Sequence, residues 1–162
     1  MGPTIRLSVP GDLRYRDIAV RVVAETARLV SGSERRDPND LLDRDVRVVF
    51  DTAVVSAFME IFNNVVVHAY QRAAGGAIEI ALTPSGNALE IEIEDHGSPF
   101  DIEGVAPLPT ALDVASLPEG GMGIHIAKTM LDGITYHPGP PNRWRLWKRL
   151  PAPPGAGDPR RT

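Results

Sequence analysis

Two stretches, AIEIAL at 77–82 and ALEIEIED at 88–95, alternate along the chain, with PSGN between them. Ile78, Ile80 and Leu82 alternate with polar or small residues, and Leu89, Ile91 and Ile93 alternate with Glu90, Glu92 and Glu94. A period of two puts the large apolar groups on one face of a strand and the carboxylates on the other. The turn residues make the pair an antiparallel hairpin with one wet face. Such a hairpin is not stable alone, so its dry face requires a cover from elsewhere in the chain.

Helical patterns supply that cover. Residues 4–9, TIRLSV, read as a short strand ended by Pro10, and Asp12 can cap a helix over roughly 13–31 that Gly32 stops. The apolar face of this helix is expected at Ile18, Val22, Val23, Ala27 and Val30. SGSERRDPND is a loop, a second helix is expected from about Asp45 to Gln71, and Gly75-Gly76 ends it. After the hairpin comes a Pro-rich stretch with little periodicity, from about Gly97 to Gly121. A loop of that length inside a domain is usually functional. Glycines 120, 121 and 123 then open a helix reaching about Asp132, and two strands follow near 134–137 and 143–149. The order β-α-α-β-β-loop-α-β-β predicts an α/β fold, a two-layer sandwich with helices on one face of a mixed sheet. One domain over residues 1–150 is expected, followed by a Pro/Gly-rich, disordered tail over 151–162.

Composition removes several alternatives. The chain has 162 residues, 43% of them hydrophobic, which fits one globular domain with a sizeable core. A net charge of −4 gives no push toward nucleic acid or anionic membrane. Cysteine is absent, so no disulfide framework or thiolate metal site exists. The N-terminal residues contain no apolar signal region and no run of 18 apolar residues occurs, so a cytoplasmic location is expected.

Three motifs carry chemistry. EIFNNVVVHAY, 60–70, is apolar on most sides, yet Glu60, Asn64 and His68 recur every four residues. On a helix they share one face. An exposed strip on a half-buried helix is the plain reading, but the apolar flanks leave little room for a wide wet face. The wall of a cleft fits better. A carboxylate and an amide oxygen there suit a general base beside a Mg²⁺–phosphate site. In IEDHGSPFD, 93–101, a strand ends in Asp95, which can accept a hydrogen bond from an exocyclic amine, and Gly97 allows a sharp departure. Taken alone it reads more simply as an Asp-x-Gly turn. In EGGMGIHIAK, 119–128, glycines before a helix leave backbone N–H groups free to hold phosphate.

Together, in this order, the motifs resemble the GHKL ATPase/kinase superfamily. EIFNNVVVHAY is similar to its E-x-x-x-N-A-V-x-H-A-Y, EDHGSPFD to its D-x-G-x-P-F-D, and GGMGIHIAKTMLDGITY to its G-G-x-G-L-x-L-x-x-x-x-M-D-x-x-x-Y. The likeness is to the anti-sigma factor serine/threonine kinases of the RsbW and SpoIIAB type, and covers about residues 4 to 150. It implies the Bergerat fold with a long ATP lid over residues 102–121, ATP and Mg²⁺ as cofactors, and a homodimer. It also implies a sigma factor and a STAS-type anti-anti-sigma protein as partners.

Residue by residue, the resemblance makes Glu60 the general base and Asn64 the Mg²⁺ ligand. Asp95 becomes the adenine-binding residue, with Gly97 allowing close approach of the purine. Gly121, Met122, Gly123 and Ile124 become the backbone segment that meets phosphate. Asn63 is off the pattern, and His68 takes a supporting role only. Pro99 stands where many superfamily members have glycine. The segment between Gly104 and Gly120 contains no Lys or Arg, so a cation on the γ-phosphate must come from elsewhere, Lys128 or a partner. On the first helix Arg14, Arg21 and Arg28 recur every seven residues, nearly on one face. A solvated surface explains them simply, while the resemblance makes Arg21 the residue nearest to a sigma-factor contact. Two other readings stay open: an ATP-binding anti-sigma module with little kinase activity, and a stand-alone histidine-kinase-like catalytic domain.

Overall fold

In a computed structural model the described residues are 2–33, 44–70, 75–101 and 122–152. They form β1 (Ile5–Gly11), a 3₁₀ turn (Leu13–Tyr15), α1 (Arg16–Ser31), α2 (Arg44–Asn64) continued by a π-helical turn (Val65–Ala69), and β2 (Gly75–Ser85). β3 (Ala88–Asp95), α3 (Met122–Met130), β4 (Gly133–His137) and β5 (Asn142–Arg149) follow. The five strands make one open sheet in the order β1-β2-β3-β5-β4. The α/β class and the order of elements are as the sequence predicts.

The sheet is antiparallel rather than mixed. Every described pairing, β1–β2, β2–β3, β3–β5 and β4–β5, is antiparallel. The crossover through α3 does send β3 and β4 in the same direction. β5 then folds back between them and takes both of their edges, so no parallel pair forms.

The hairpin stands as the alternation requires. Ile80 pairs with Ile93 and Leu82 with Ile91, and Gly86 makes the turn at φ 58°. Ile78, Ile80, Leu82, Leu89, Ile91 and Ile93 are all buried beneath the helices, joined from β5 by Trp144 and Leu146. On the wet face Arg145 makes a two-pronged pair with Glu90 at 2.8 and 2.9 Å, and Arg143 Nε donates to Glu94 at 2.7 Å. Exposed pairs like these contribute little to stability. Pro10 lies inside β1 rather than ending it, opposite Ala77. β1 is an edge strand, where a missing N–H is tolerated.

α1 buries Val23 and Ala27 as expected and packs Val22 and Val30 against the core, but it leaves Ile18 outside. Ala19, Val23, Thr26, Ala27 and Ser31 face the core, while Ile18 stays 53% exposed. Small residues let α1 lie close to α2, and Thr26 Oγ1 is satisfied by the Val22 carbonyl at 2.7 Å. Gly32, at φ 65°, closes the helix. Arg14 falls in the 3₁₀ turn rather than in α1, and is tied to Asp12, whose carboxylate also accepts from the Arg14 N–H.

α2 is the core helix. Phe50, Val54, Phe58, Ile61 and Phe62 are buried against sheet and neighbouring helices. Residues 44–69 are long and apolar enough to cross a membrane by length and composition, but that apolarity is spent on the core. Gly75 and Gly76 begin β2, and residue 71, where the sequence ended α2, lies outside the described residues. The tail from 153 and the proposed lid, 102–121, also lie outside them.

Candidate functional site

The polar stripe of α2 divides into two places. Glu60, half-buried, lies against the first turn of α3. A β-carbon added to Gly123 would collide with Glu60 Oε2 and lie 3.2 Å from Glu60 Cδ. Only glycine permits this approach, which sets a carboxylate beside the N–H groups at the positive end of a helix, where negative charge is favoured. Met122, Gly123 and Ile124 form that first turn, with Ile124 fully buried and Met122 exposed. Gly121 lies outside the described residues.

One turn further along α2, Asn64 joins Val65, His68 and Ala69 on one wall of a narrow cleft of about 10 Å³. Asp95, Ser98, Phe100, Tyr136 and Trp144 form the other walls. The helix widens here into its π turn, a feature frequent at functional sites. Among the described residues, Asn64 Nδ2 and Asn63 Oδ1 are buried without a hydrogen-bond partner. Buried unsatisfied amide atoms cost free energy unless a ligand or water engages them, and of the two residues only Asn64 lines the cleft.

The opposite wall is built on β3 and its exit. Asp95 is 1% exposed and closes β3. Its Oδ1 accepts from the Gly97 N–H at 2.9 Å and from Asn142 Nδ2 at 2.9 Å. Gly97 then packs on the end of α2. A β-carbon there would stand 2.5 Å from Ala69 Cβ and 2.6 Å from the Ala69 carbonyl carbon, and the following Ser98 N–H donates to that carbonyl oxygen at 2.9 Å. Gly97→Ala should therefore destabilise the fold by about 1–3 kcal/mol through overpacking. A shift in denaturant midpoint measures this, and an unchanged midpoint would mean that the contact yields freely.

Aromatic rings complete the cleft. Phe100 meets His68 edge-on at 5.6 Å between centroids and lies 5.8 Å from Trp144, which packs on Tyr136 at 4.4 Å. The Tyr136 hydroxyl accepts from the Phe100 N–H at 2.7 Å, and burial pushes its pKa up. Burial likewise raises that of Tyr70, whose hydroxyl donates to the Ala77 carbonyl at 3.1 Å and accepts from His96 N–H at 3.3 Å. These bonds fix where the chain leaves β3.

The residue types suit a Mg²⁺–nucleotide, but the cleft as it stands, about 10 Å³, has room for about one water, so a purine enters only when its walls part. Asp95 offers an acceptor, Asn64 a side-chain oxygen that would ligate the metal, and α3 its N-terminal N–H groups. The Asn64 atom with no partner among the described residues is Nδ2, a donor that suits a phosphate oxygen and not a cation. Among the described residues no group of three or more acidic or His side chains is placed to hold a metal. Mg²⁺ needs none, since it commonly takes one or two protein oxygens and completes its shell with phosphates and water.

The family model described as "Histidine kinase-like ATPase domain" matches residues 10–145. The chain belongs to the histidine kinase-like ATPase family. Membership makes it an ATP-binding domain, consistent with the open sheet and helix layer. Relatives include the serine-protein kinases RsbW of Bacillus thuringiensis (strain Al Hakam) and of Bacillus anthracis, each 35% identical over 82 residues, 48% of this chain and 51% of the relative. RsbW of Bacillus licheniformis is 32% identical over the same length, 82 residues, and the same shares of the two chains, 48% and 51%. The chain thus spans about half the length of the curated relatives it matches.

Two members of the cleft, Tyr136 and Trp144, and Asn142, which bonds to Asp95, carried no role in the sequence reading. Asn142 was detectable: it has the same parity on its strand as the inward-facing Trp144 and Leu146, a polar residue in a dry position. Tyr136 stood at the end of the third motif without a role, and for Trp144 no short motif gave a sign. Arg21 is exposed on α1 and makes no ion pair with a described residue, whereas Arg28 is paired with Glu25 at 2.7 Å and Arg14 with Asp12 at 2.8 Å.

Proposed function

We propose that this domain is an ATP-dependent protein serine kinase that also acts as an anti-sigma factor in the cytoplasm, working as a homodimer. The observation that carries the reading is the Glu60 carboxylate set against Gly123 in the first turn of α3, with Asn64 one turn away on α2. A base, an amide ligand and a row of helix-start N–H groups are what transfer of a phosphoryl group to a hydroxyl requires. The names of the relatives supply the acceptor, since each is a serine-protein kinase.

In this reading Asp95 accepts from the adenine amine, Gly97 admits the purine, and Asn64 ligates Mg²⁺. The backbone of Gly121, Met122, Gly123 and Ile124 faces the phosphates. Bound ATP supplies the phosphoryl group and Mg²⁺ neutralises its charge. Glu60 takes the proton from the acceptor serine of a STAS-type anti-anti-sigma protein. Arg21, charged and unpaired among the described residues, stands ready for an acidic surface of a sigma factor, with an attraction that weakens as salt rises.

The test is incubation of the purified chain with Mg-ATP and a STAS partner. Phosphoserine on the partner is the expected product. ATP binding with no phosphoserine would reduce the chain to an ATP-responsive binding module, and acid-labile phosphohistidine would move it to the histidine-kinase class. Asn64→Ala should weaken ATP binding in Mg²⁺ but not in EDTA. Equal weakening in both would take the metal away from Asn64.

A further inference from the structure

Asn142 is the first residue of β5, 1% exposed, and directly opposite Asp95 in the sheet. Its side chain has all of its hydrogen-bonding groups engaged. Nδ2 donates to Asp95 Oδ1 at 2.9 Å and to the Gly97 carbonyl at 3.0 Å, while Oδ1 accepts from the Gly139 N–H at 3.1 Å. The amide orientation is therefore fixed by the network, because a flipped amide would set its oxygen against two acceptors and its NH₂ against a donor.

The consequence falls on Asp95. A carboxylate oxygen offers two lone-pair directions. Oδ1 of Asp95 uses both, one for the Gly97 N–H and one for Asn142. No hydrogen bond from a described residue reaches Oδ2. Asp95 therefore presents one accepting oxygen to the cleft, not two.

One oxygen suits one purine and not the other. Adenine shows a single donor on its Watson–Crick edge, the exocyclic amine, beside the N1 acceptor. Guanine shows two adjacent donors, N1–H and the 2-amino group, which pair with a carboxylate through both of its oxygens. With Oδ1 saturated, a guanine would leave one buried donor unmet. We infer that Asn142 is a specificity-determining positioning residue, which makes Asp95 a single-oxygen acceptor and so selects adenine over guanine nucleotides. This rests on the reading of the Asp95 cleft as the base pocket of the proposed kinase.

An unmet buried donor corresponds to about ten- to hundredfold in affinity. The wild-type chain should therefore bind Mg-ATP at least about tenfold more tightly than Mg-GTP. Asn142→Ala frees one lone pair of Oδ1. The ATP:GTP affinity ratio should then fall by about tenfold, chiefly because GTP binding improves relative to ATP. Calorimetric titration of both nucleotides into both proteins gives the ratios, with circular dichroism to establish that the variant is folded. A merely structural loss would weaken both nucleotides alike and leave the ratio unchanged, and that result overturns the inference. So does a wild-type chain that binds GTP as tightly as ATP; in that case the base-pocket reading survives. Failure of the wild-type chain to bind either nucleotide overturns the pocket itself. Should Asn142→Ala not fold, the wild-type side-chain amide of Asn142 can be followed by NMR. Its hydrogens should remain slow to exchange when ADP saturates the site. Rapid exchange in the complex would mean that Asn142 releases Asp95 on binding, and the inference would be lost.

Discussion

Asp95→Asn should lower ATP affinity by about two orders of magnitude or more while leaving the fold intact. The surroundings dictate how the new amide must sit. The Gly97 N–H and Asn142 Nδ2 both donate toward the position of Oδ1, at 2.9 Å each. An asparagine at 95 satisfies them only by placing its oxygen there. Its NH₂ then points where Oδ2 pointed, toward the cleft. A ligand amine would meet a donor instead of an acceptor, so the bond is replaced by an opposed, desolvated pair. Loss of one hydrogen bond to a charged group and creation of an unmet donor each cost about 1–3 kcal/mol. Together they correspond to roughly a hundredfold or more. The two existing bonds survive, which is why thermal stability should change little. Titration of the variant with Mg-ATP measures the effect, and affinity equal to that of the wild-type chain would remove Asp95 from base recognition.

The same network shows what a reading of residues could and could not reach. Local pattern was sufficient wherever one strand or helix decides the outcome. The alternation of Glu90, Glu92 and Glu94 with Leu89, Ile91 and Ile93 set both faces of β3, and Gly86 marked its turn. Asp95 was legible because a strand end followed by glycine is a local event. Asn142 was passed over because its strand was taken to begin one residue later, which hid an inward polar residue at its first position. Phe100, Tyr136 and Trp144 meet only once β4 and β5 fold back beside β3, and no spacing encodes that meeting.

Two errors have a common origin in packing. Ile18 was assigned to the core because it is large and apolar, yet α1 approaches α2 through Ala19, Val23 and Ala27. Close approach of two helices favours small side chains at the contact, and leaves bulk outside. The mixed sheet was likewise a local inference, from strand to helix to strand, and it was overturned by where β5 inserts. Edge-taking by a later strand is a property of the whole sheet. The glycine before Ile124 was legible as a phosphate-type signal, but its sharper reason is tertiary: without a side chain at Gly123 the Glu60 carboxylate can reach the helix end.

That contact frames the other large effect. Glu60→Gln should reduce phosphoserine formation by about 10²–10⁴-fold with ATP affinity nearly unchanged, the range expected when a general base is lost. The substitution keeps the length and shape of the side chain. Gly123 leaves room for either terminal group, since neither brings a new atom nearer to α3 than the carboxylate already does. The amide can still lie beside the helix-start N–H groups by presenting its oxygen to them. What it cannot do is accept a proton from a serine hydroxyl. Loss should therefore appear in the rate of transfer at saturating ATP and STAS partner, not in nucleotide binding. A variant that binds ATP normally and phosphorylates at the wild-type rate would mean that another group accepts the proton. A variant whose ATP binding falls in step with its rate would make Glu60 a support of the phosphate site through Gly123 rather than the base.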